Sequence, residues 1–406
     1  MTTFAGAAGA AGAAGAAGAA GAAGAAGAAV VAGAAGAAGA AGAAGAAGAA
    51  GAGGSFSPLF AGALISHRDG IVGTWGVPAP LLPAVPADPA QMKKWDLGVR
   101  NAVYDFELIA SLQFAAFNPA RAGAIAQVYF QAAALAATTA FTAPPPVPYQ
   151  PLVQLIAPPR SVFVASLPAD PPAQLDLVND YADLREDRAG EILAQLGPQY
   201  AFWGSVCGLQ PGRHPKTLEL LDAALRLAHY VEMRIKHALA LPRPVEYSPQ
   251  IQPIISTPGH GTLPSGHATE AFMIAEILEV LIPGGAALRE QLQRQAARIA
   301  VNRTVAGVHF PVDSAAGRIL GVTLAEYFLC RCGAPRAAGG LALVTTQMRS
   351  FDGPAYAARQ DFDWSAAVNA AAPTLALSVV TPVAAAPAAT PVLAGWLYQR
   401  AVDEWQ

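Results

Sequence analysis

Three fixed positive charges, Lys236, Arg243 and Arg303, lie in the stretch from Lys236 to Asp313, and the other chemically able groups of the chain gather there too. Lys236 is followed after six residues by Arg243-Pro244. Next comes Pro264-Ser265-Gly266-His267, and then Arg303, five residues, His309, three residues and Asp313. A multiply charged oxyanion needs this much counter-charge when it leaves water, because an unpaired buried ion is costly. Arginine offers a planar fork that fits the oxygens of phosphate or vanadate, and lysine adds a point charge. Ser265 and Gly266 head a helix-forming run, Ala268 to Leu281, whose free N–H groups and dipole attract anions. Gly266 lets the backbone come close to such a ligand. His309 and Asp313 stand at i, i+4. On one helical face the carboxylate would accept from one imidazole nitrogen and fix the tautomer. The other nitrogen is then free as nucleophile or metal ligand. His267 follows the anion-binding turn and is placed as an acid or base.

The elements that must carry these groups read as helices. Lys216–Leu241 has Leu218, Leu221, Leu225 and Ala228 on one side, with Lys236 in its last turns. Ala268–Leu281, Ala286 to about Thr304, and Asp313–Leu329 are the next helices. Upstream, Met92–Phe117 and a segment from Asn118-Pro119 to about Phe141 read as helices, and Asp176–Leu196 as an amphipathic one. Within it, the run Tyr181-Ala-Asp-Leu-Arg-Glu-Asp-Arg188 reads as a solvated charged face. Ser55–Pro89 reads as irregular chain, and Pro144-Pro145-Pro146 opens a Pro-rich linker to about Pro172. Few segments alternate with period two, so almost no sheet is expected.

Residues 1–54 are a different kind of chain. Glycine recurs at every third position from Gly6 to Gly51, broken at Val30, with alanine almost everywhere between. The run lacks the proline of collagen and has no large side chains to bury, so it reads as a low-complexity extension. Self-association of this triplet as a glycine-period helix is the sharper alternative, which would make a homo-oligomer. Residues 55–406 then form the working domain, with the site region at 231–330.

Charge and cysteines exclude several classes. Lys plus Arg number 24 against 27 Asp plus Glu, which gives no basic stripe for nucleic acid. Cys207, Cys330 and Cys332 cannot make a disulfide framework, and Cys330-x-Cys332 lacks metal-site spacing. The start, Met1-Thr2-Thr3-Phe4, has no basic segment of the signal-peptide kind, so the cytoplasm is favoured slightly over export. Glu270, Glu276 and Glu279 after Ser265, and the prolines of the tail at 373, 382, 387 and 391, argue against membrane spans.

The three blocks resemble the signature K-x6-RP, PSGH, SR-x5-H-x3-D. That signature belongs to the superfamily of vanadium-dependent haloperoxidases, bacterial class A acid phosphatases and type 2 phosphatidic acid phosphatases (PAP2). The departure is Asn302 where the pattern has serine, which touches a hydrogen bond flanking the anion site. The resemblance implies an all-α helical bundle of the haloperoxidase and class A phosphatase type, following the Gly-Ala-Ala repeat. It implies that Lys236, Arg243, Ser265, Gly266 and Arg303 bind vanadate or phosphate. In the haloperoxidase branch His309 ligates vanadium, His267 handles protons, and hydrogen peroxide, halide and a small organic acceptor are the partners. In the phosphatase branch His309 becomes a phosphohistidine and His267 protonates the leaving oxygen. Two features resemble the haloperoxidases more closely. The block reads Pro264-Ser-Gly-His-Ala-Thr269, and His260 lies five positions before Ser265, where bromoperoxidases of the family carry a histidine. The short intervals from Arg243 to Ser265 and from His267 to Arg303 resemble the compact phosphatases instead. The Tyr181–Arg188 run is similar to a segment upstream of the site in bacterial haloperoxidase-like proteins.

Overall fold

Pro215 fixes the start of a 25-residue helix that ends at Leu239, where Ala240 turns into the left-handed region at φ 47°. Leu220, Leu221, Ala224, Leu227, Ala228, Val231 and Ile235 face inward along it. The computed structural model describes residues 58–74, 88–118, 123–131, 149–165, 173–197, 199–334, 347–366, 378–382 and 392–406. The Gly-Ala-Ala repeat lies outside the described residues; of the expected Pro-rich linker, residues 149–165 are described and hold a strand, Tyr149–Ile156, where irregular chain was expected. The chain divides into two compact units, residues 1–103 and 104–406. The helices are α1 (Pro58–Ile71), α2 (Leu97–Ile109), α3 (Gln174–Asp180), α4 (Arg185–Ala194), α5 (Tyr200–Cys207), α6 (Pro215–Leu239), α7 (Gly266–Leu281), α8 (Gly285–Val305), α9 (Pro311–Arg331) and α10 (Val392–Asp403).

In the second unit α7 packs against α6, α8 and α9. α9 is buried along nearly its whole length, from Pro311 to Arg331, which makes it the central element. Its close approach to α7 is set by Gly317: a Cβ there would stand 2.6 Å from Ser265 O and 2.9 Å from Ala268 Cβ. The N-terminus of α6 is closed by the tail. Glu404 accepts from Lys216 N and Thr217 N at 2.7 Å each, a carboxylate set against the positive end of the helix dipole. Trp405 stacks on His214 with centroids 4.1 Å apart. Among the described residues no helix is long and apolar enough to cross a membrane.

The fold is mostly helical, as expected, but a sheet accompanies the helices. Strands β1 (Leu112–Phe117), β2 (Ile125–Gln131), β3 (Tyr149–Ile156), β4 (Gln347–Asp352) and β5 (Ser378–Pro382) run in that order. All neighbours are antiparallel except the parallel pair β3–β4. The expectation of almost no sheet is therefore corrected. β2 alternates, with Ala126, Val128 and Phe130 buried, a period-two signal too short to outweigh the helix-like residues on either side of it. β2 pairs with β1 and β3, and β4 joins the sheet along β3, so pairing rather than local preference decides these segments. For the same reason Met92–Phe117 is not one helix: a 3-10 turn at Pro89–Lys94 leads into α2 and then β1. The helix expected from Asn118-Pro119 to about Phe141 contains β2, and its remainder lies outside the described residues. Ser55–Pro89, expected to be irregular, contains α1. The expected Asp176–Leu196 helix is divided into α3, a 3-10 turn at Tyr181–Leu184, and α4. The sheet is tied to the core at Arg349 on β4, whose guanidinium meets Glu326 of α9 twice, at 2.8 and 2.6 Å. That fork-to-fork geometry satisfies both buried ions.

Candidate active site

Each block of charged residues is delivered by the end of a helix or by the loop beside it. Lys236 sits in the last turn of α6 and is 1% exposed. Its Nζ donates to Gly261 O at 3.3 Å, to Thr262 O at 3.2 Å and to Pro264 O. The lysine thereby fixes the loop that enters the Pro264–His267 turn. Ser265 caps α7, its Oγ accepting from Ala268 N at 3.4 Å, so the first N–H groups of the helix, Gly266 among them, have no partner within it. Ser265 N in turn donates to Asp313 O at 2.9 Å, which joins the starts of α7 and α9.

Arg243 precedes Pro244, the first residue of a single helical turn, and is 1% exposed. Its backbone N–H is held by Glu246 at 2.6 Å. Its guanidinium donates from Nε to His260 O at 3.0 Å, from Nη1 to Val308 O at 2.8 Å and to His309 Nε2 at 3.0 Å, and from Nη2 to His260 Nδ1 at 3.0 Å. Guanidinium can only donate, so both imidazole nitrogens it meets carry lone pairs. His309 therefore keeps its proton on Nδ1, which donates to Asp313 Oδ2 at 3.0 Å. His260 keeps its proton on Nε2, a buried donor with no partner.

Asp313 is the anchor of this pair. Its Oδ2 accepts from Thr262 Oγ1 at 2.5 Å, from Phe310 N at 2.9 Å and from His309. The i, i+4 relation proposed from the sequence is thus formed as a hydrogen bond, although His309 lies just ahead of α9. Thr262, which no spacing argument singled out, completes it. Gly307, with φ +83°, makes the turn between Arg303 and His309; a Cβ there would stand 2.7 Å from Arg185 Nη2.

Arg303, on the last turn of α8, is 1% exposed. Nη2 donates to Gln195 Oε1 at 2.8 Å and to Ile192 O at 3.3 Å, while Nε and Nη1 have no partner. A buried cation with two idle nitrogens is expensive unless a ligand takes their N–H groups. His267 Nε2 lies 3.3 Å from Gln195 O. It donates to that carbonyl, leaving Nδ1 to accept or release a proton.

The charged run before the site is not simply a solvated face. Arg185 donates to Val305 O at 2.9 Å and Ile251 O at 2.9 Å. Arg188 donates to Asn302 Oδ1 at 3.2 Å, and Asn302 Nδ2 reaches Glu191 at 2.9 Å and Gln195 at 3.0 Å. Asn302 thus fastens α4 to α8, and Gln195, just past α4, orients Arg303. The signal available in the sequence was the charge density of the run; its partners lie 66 to 120 residues away.

Burial sets the electrostatics. Desolvation, then the charge of Arg243, brings Lys236 down to about 8. Desolvation alone leads in lowering Arg243 and Arg303 to about 10. His309 is held well below the usual imidazole value by burial and then by Arg243, and His267 by burial and then by Arg303. His260 falls to about 4 by burial, Lys236 and Arg243. All three imidazoles are therefore neutral near pH 7. Burial lifts Asp313 to about 6 against the hydrogen bonds of Thr262 and Phe310.

The arrangement joins Lys236, Arg243, His260, Ser265, His309 and Asp313 into one hydrogen-bonded cluster. Arg303 connects through Val308, whose N–H it accepts at 3.2 Å, and its charge acts on His267. Such a cluster can stabilise a tetrahedral anion beside an imidazole lone pair. Residues 220–332 match the family model of the PAP2 superfamily. The match covers every one of these residues and supports the PAP2 assignment read from the three blocks. PAP2 superfamily members include phosphatases and haloperoxidases, and the match does not separate the two. No curated protein matches the chain. Gln195, Glu191 and Arg188 lie outside the PAP2 segment, so the matched region depends on neighbours that it does not contain.

Proposed function

We propose that this protein is a vanadate-dependent haloperoxidase that oxidises halide, bromide foremost, with hydrogen peroxide to hypohalous acid for a small organic acceptor. The observation that carries an oxyanion cofactor is the set of buried donors without partners, Arg303 Nε, Arg303 Nη1 and His260 Nε2, beside the buried charges of Lys236 and Arg243. These groups fit vanadate: they supply positive charge and N–H donors, and His309 Nε2 supplies a neutral nitrogen ligand. When bound, vanadate supplies Lewis acidity that activates hydrogen peroxide toward halide without a change of metal oxidation state.

Arg303, Arg243 and the N-terminus of α7 at Ser265 and Gly266 would hold the oxyanion's oxygens, and Lys236 would add charge while shaping the loop at Gly261–Pro264. Arg243 Nη1, which donates to His309 Nε2 at 3.0 Å, would donate to an anion oxygen instead, leaving the Nε2 lone pair available as a ligand. Asp313 keeps the proton on His309 Nδ1, so the ligating nitrogen stays basic. His267 exchanges protons at Nδ1 while its Nε2 remains anchored on Gln195. His260 would offer its Nε2–H, which has no partner within the protein, to the halide. Its direct hydrogen bond to Arg243 supports the bromoperoxidase-like reading over that of an idle loop histidine.

The second reading is a phosphatase, favoured by the short intervals between the blocks. His309 Nε2 would attack phosphorus, the leaving oxygen would take a proton from His267, and water would release phosphate from His309. Vanadate-loaded and phosphate-loaded protein assayed side by side separate the two. Bromination of a phenolic dye supports the haloperoxidase; p-nitrophenyl phosphate hydrolysis without bromination overturns it. His309→Ala abolishes turnover in either case.

A further inference from the structure

Beside the anion cluster lies a second group of ligating side chains that the reaction above does not use. His229 and Glu232 stand at i, i+3 on α6, and Glu270 lies on α7. The ligand atoms of the three all fall within 4.8 Å of one another. His229 Nδ1 is 3.7 Å from Glu232 Oε1. In a tetrahedral site with bonds of about 2.0–2.1 Å, two ligand atoms stand roughly 3.4 Å apart, so this spacing needs little adjustment.

Glu232 supplies the independent observation. It is 1% exposed, and its Oε2 has no hydrogen-bond partner. A buried carboxylate oxygen without a donor calls for a proton or a cation. The groups facing it from both helices are His229 and Lys236 on α6 and Gly266 and Glu270 on α7. Lys236 has given its three donors to the loop carbonyls. A Cβ at Gly266 would stand 2.9 Å from Glu232 Oε1, so a larger residue at that position would crowd the carboxylate. Burial, then the charge of Glu232, lifts Glu270 well above the usual carboxyl value against the opposing charge of Lys236, the behaviour of two acids sharing one space.

We propose that His229, Glu232 and Glu270 bind a divalent first-row metal ion of the Zn2+ class at the junction of α6 and α7. One imidazole and two carboxylates make a three-ligand set with room for water, as in open zinc sites. Ca2+ asks for more oxygens than this cluster offers. The His-x2-Glu pair shares one face of α6 with Lys236, four residues after Glu232. Bound metal would neutralise Glu232 where it abuts Gly266 and raise the positive potential on that side of the anion cluster.

The test is titration of Zn2+ into metal-stripped full-length protein, followed by calorimetry and thermal melting. One equivalent binds and raises the melting temperature; His229→Ala and Glu270→Gln each weaken binding at least tenfold and abolish the thermal shift. Glu270→Gln removes a buried carboxyl, so its metal-free form melts no lower than wild type. If either variant proves unfolded, Co2+-loaded wild type decides. A ligand-field spectrum without a thiolate charge-transfer band supports the site. A thiolate band, pointing to Cys330 or Cys332, overturns it. Absence of stoichiometric binding, or full affinity in both variants, also overturns it.

Discussion

Replacing Gln195 with leucine tests whether the segment ahead of the PAP2 region positions Arg303. Gln195 is 0% exposed. Its Oε1 accepts from Arg303 Nη2 at 2.8 Å and from Asn302 Nδ2 at 3.0 Å, and its Nε2 donates to Glu191 at 3.1 Å. In Gln195→Leu, Arg303 retains only Ile192 O, at 3.3 Å, and Asn302 retains Glu191. A hydrogen bond to a charged group contributes about 1.5–3 kcal/mol, and a buried donor left unpaired carries a further cost. The two lost acceptor contacts, offset by the apolar gain of leucine, give a net loss of about 2–4 kcal/mol. Urea unfolding monitored by circular dichroism reads this as a lower midpoint at unchanged slope. The second readout is phosphate affinity by calorimetry. Arg303 must then be ordered by the anion itself, so affinity falls about tenfold, equivalent to about 1.4 kcal/mol. Saturating phosphate should recover part of the lost stability, because the ligand supplies the acceptors that leucine withholds. Wild-type midpoint together with wild-type phosphate affinity would refute the positioning argument.

Asp313 near 6 and Lys236 near 8 give kcat/KM an acid limb and a basic limb at those values. Protonating Asp313 releases the His309 tautomer, and deprotonating Lys236 removes charge from the cluster. Asp313→Asn removes the acid limb in a pH–rate series. The stability sign follows from the raised carboxyl. Below its unfolded value of 3.8 Asp313 is protonated in both states, and between that value and about 6 the folded state alone keeps the proton. Wild type therefore loses stability as pH rises through this window relative to Asp313→Asn, measured by urea midpoints. Gly317→Ala forces α9 away from Ser265 and Ala268 and lowers stability by about 1–3 kcal/mol in the same assay. Deleting Gly6 to Gly54 leaves turnover intact, while loss of assembly by size-exclusion chromatography, in a protein without turnover, would favour a scaffold role for the repeat.

Much of the helical frame was legible because its residues interact locally. The stretches around Lys236, after Ser265 and after Pro311 carry apolar faces, capping residues and N-terminal prolines, and these signals depend on neighbours three or four positions away. The structure gives the corresponding bounds as α6, α7 and α9. The joining of β3 to β4 was not legible for the opposite reason. β3 and β4 pair across almost two hundred residues, Val153 with Arg349, and no local pattern records that partner.

The sequence by itself determined the chemical inventory: three cations, the Ser265-Gly266 turn, the imidazoles and Asp313, in an order that resembles one superfamily. Only the tertiary structure decided how those groups are used against each other. Arg243 spans His260 and His309, Lys236 spends its donors on a loop, and Arg303 keeps two donors idle because Gln195 and Ile192 occupy the third nitrogen. Charge and residue type are fixed by covalent chemistry and can be read one residue at a time. Hydrogen-bond pairing, desolvation and the resulting proton affinities depend on which groups folding brings within about 3 Å of one another, and that is a property of the assembled helices.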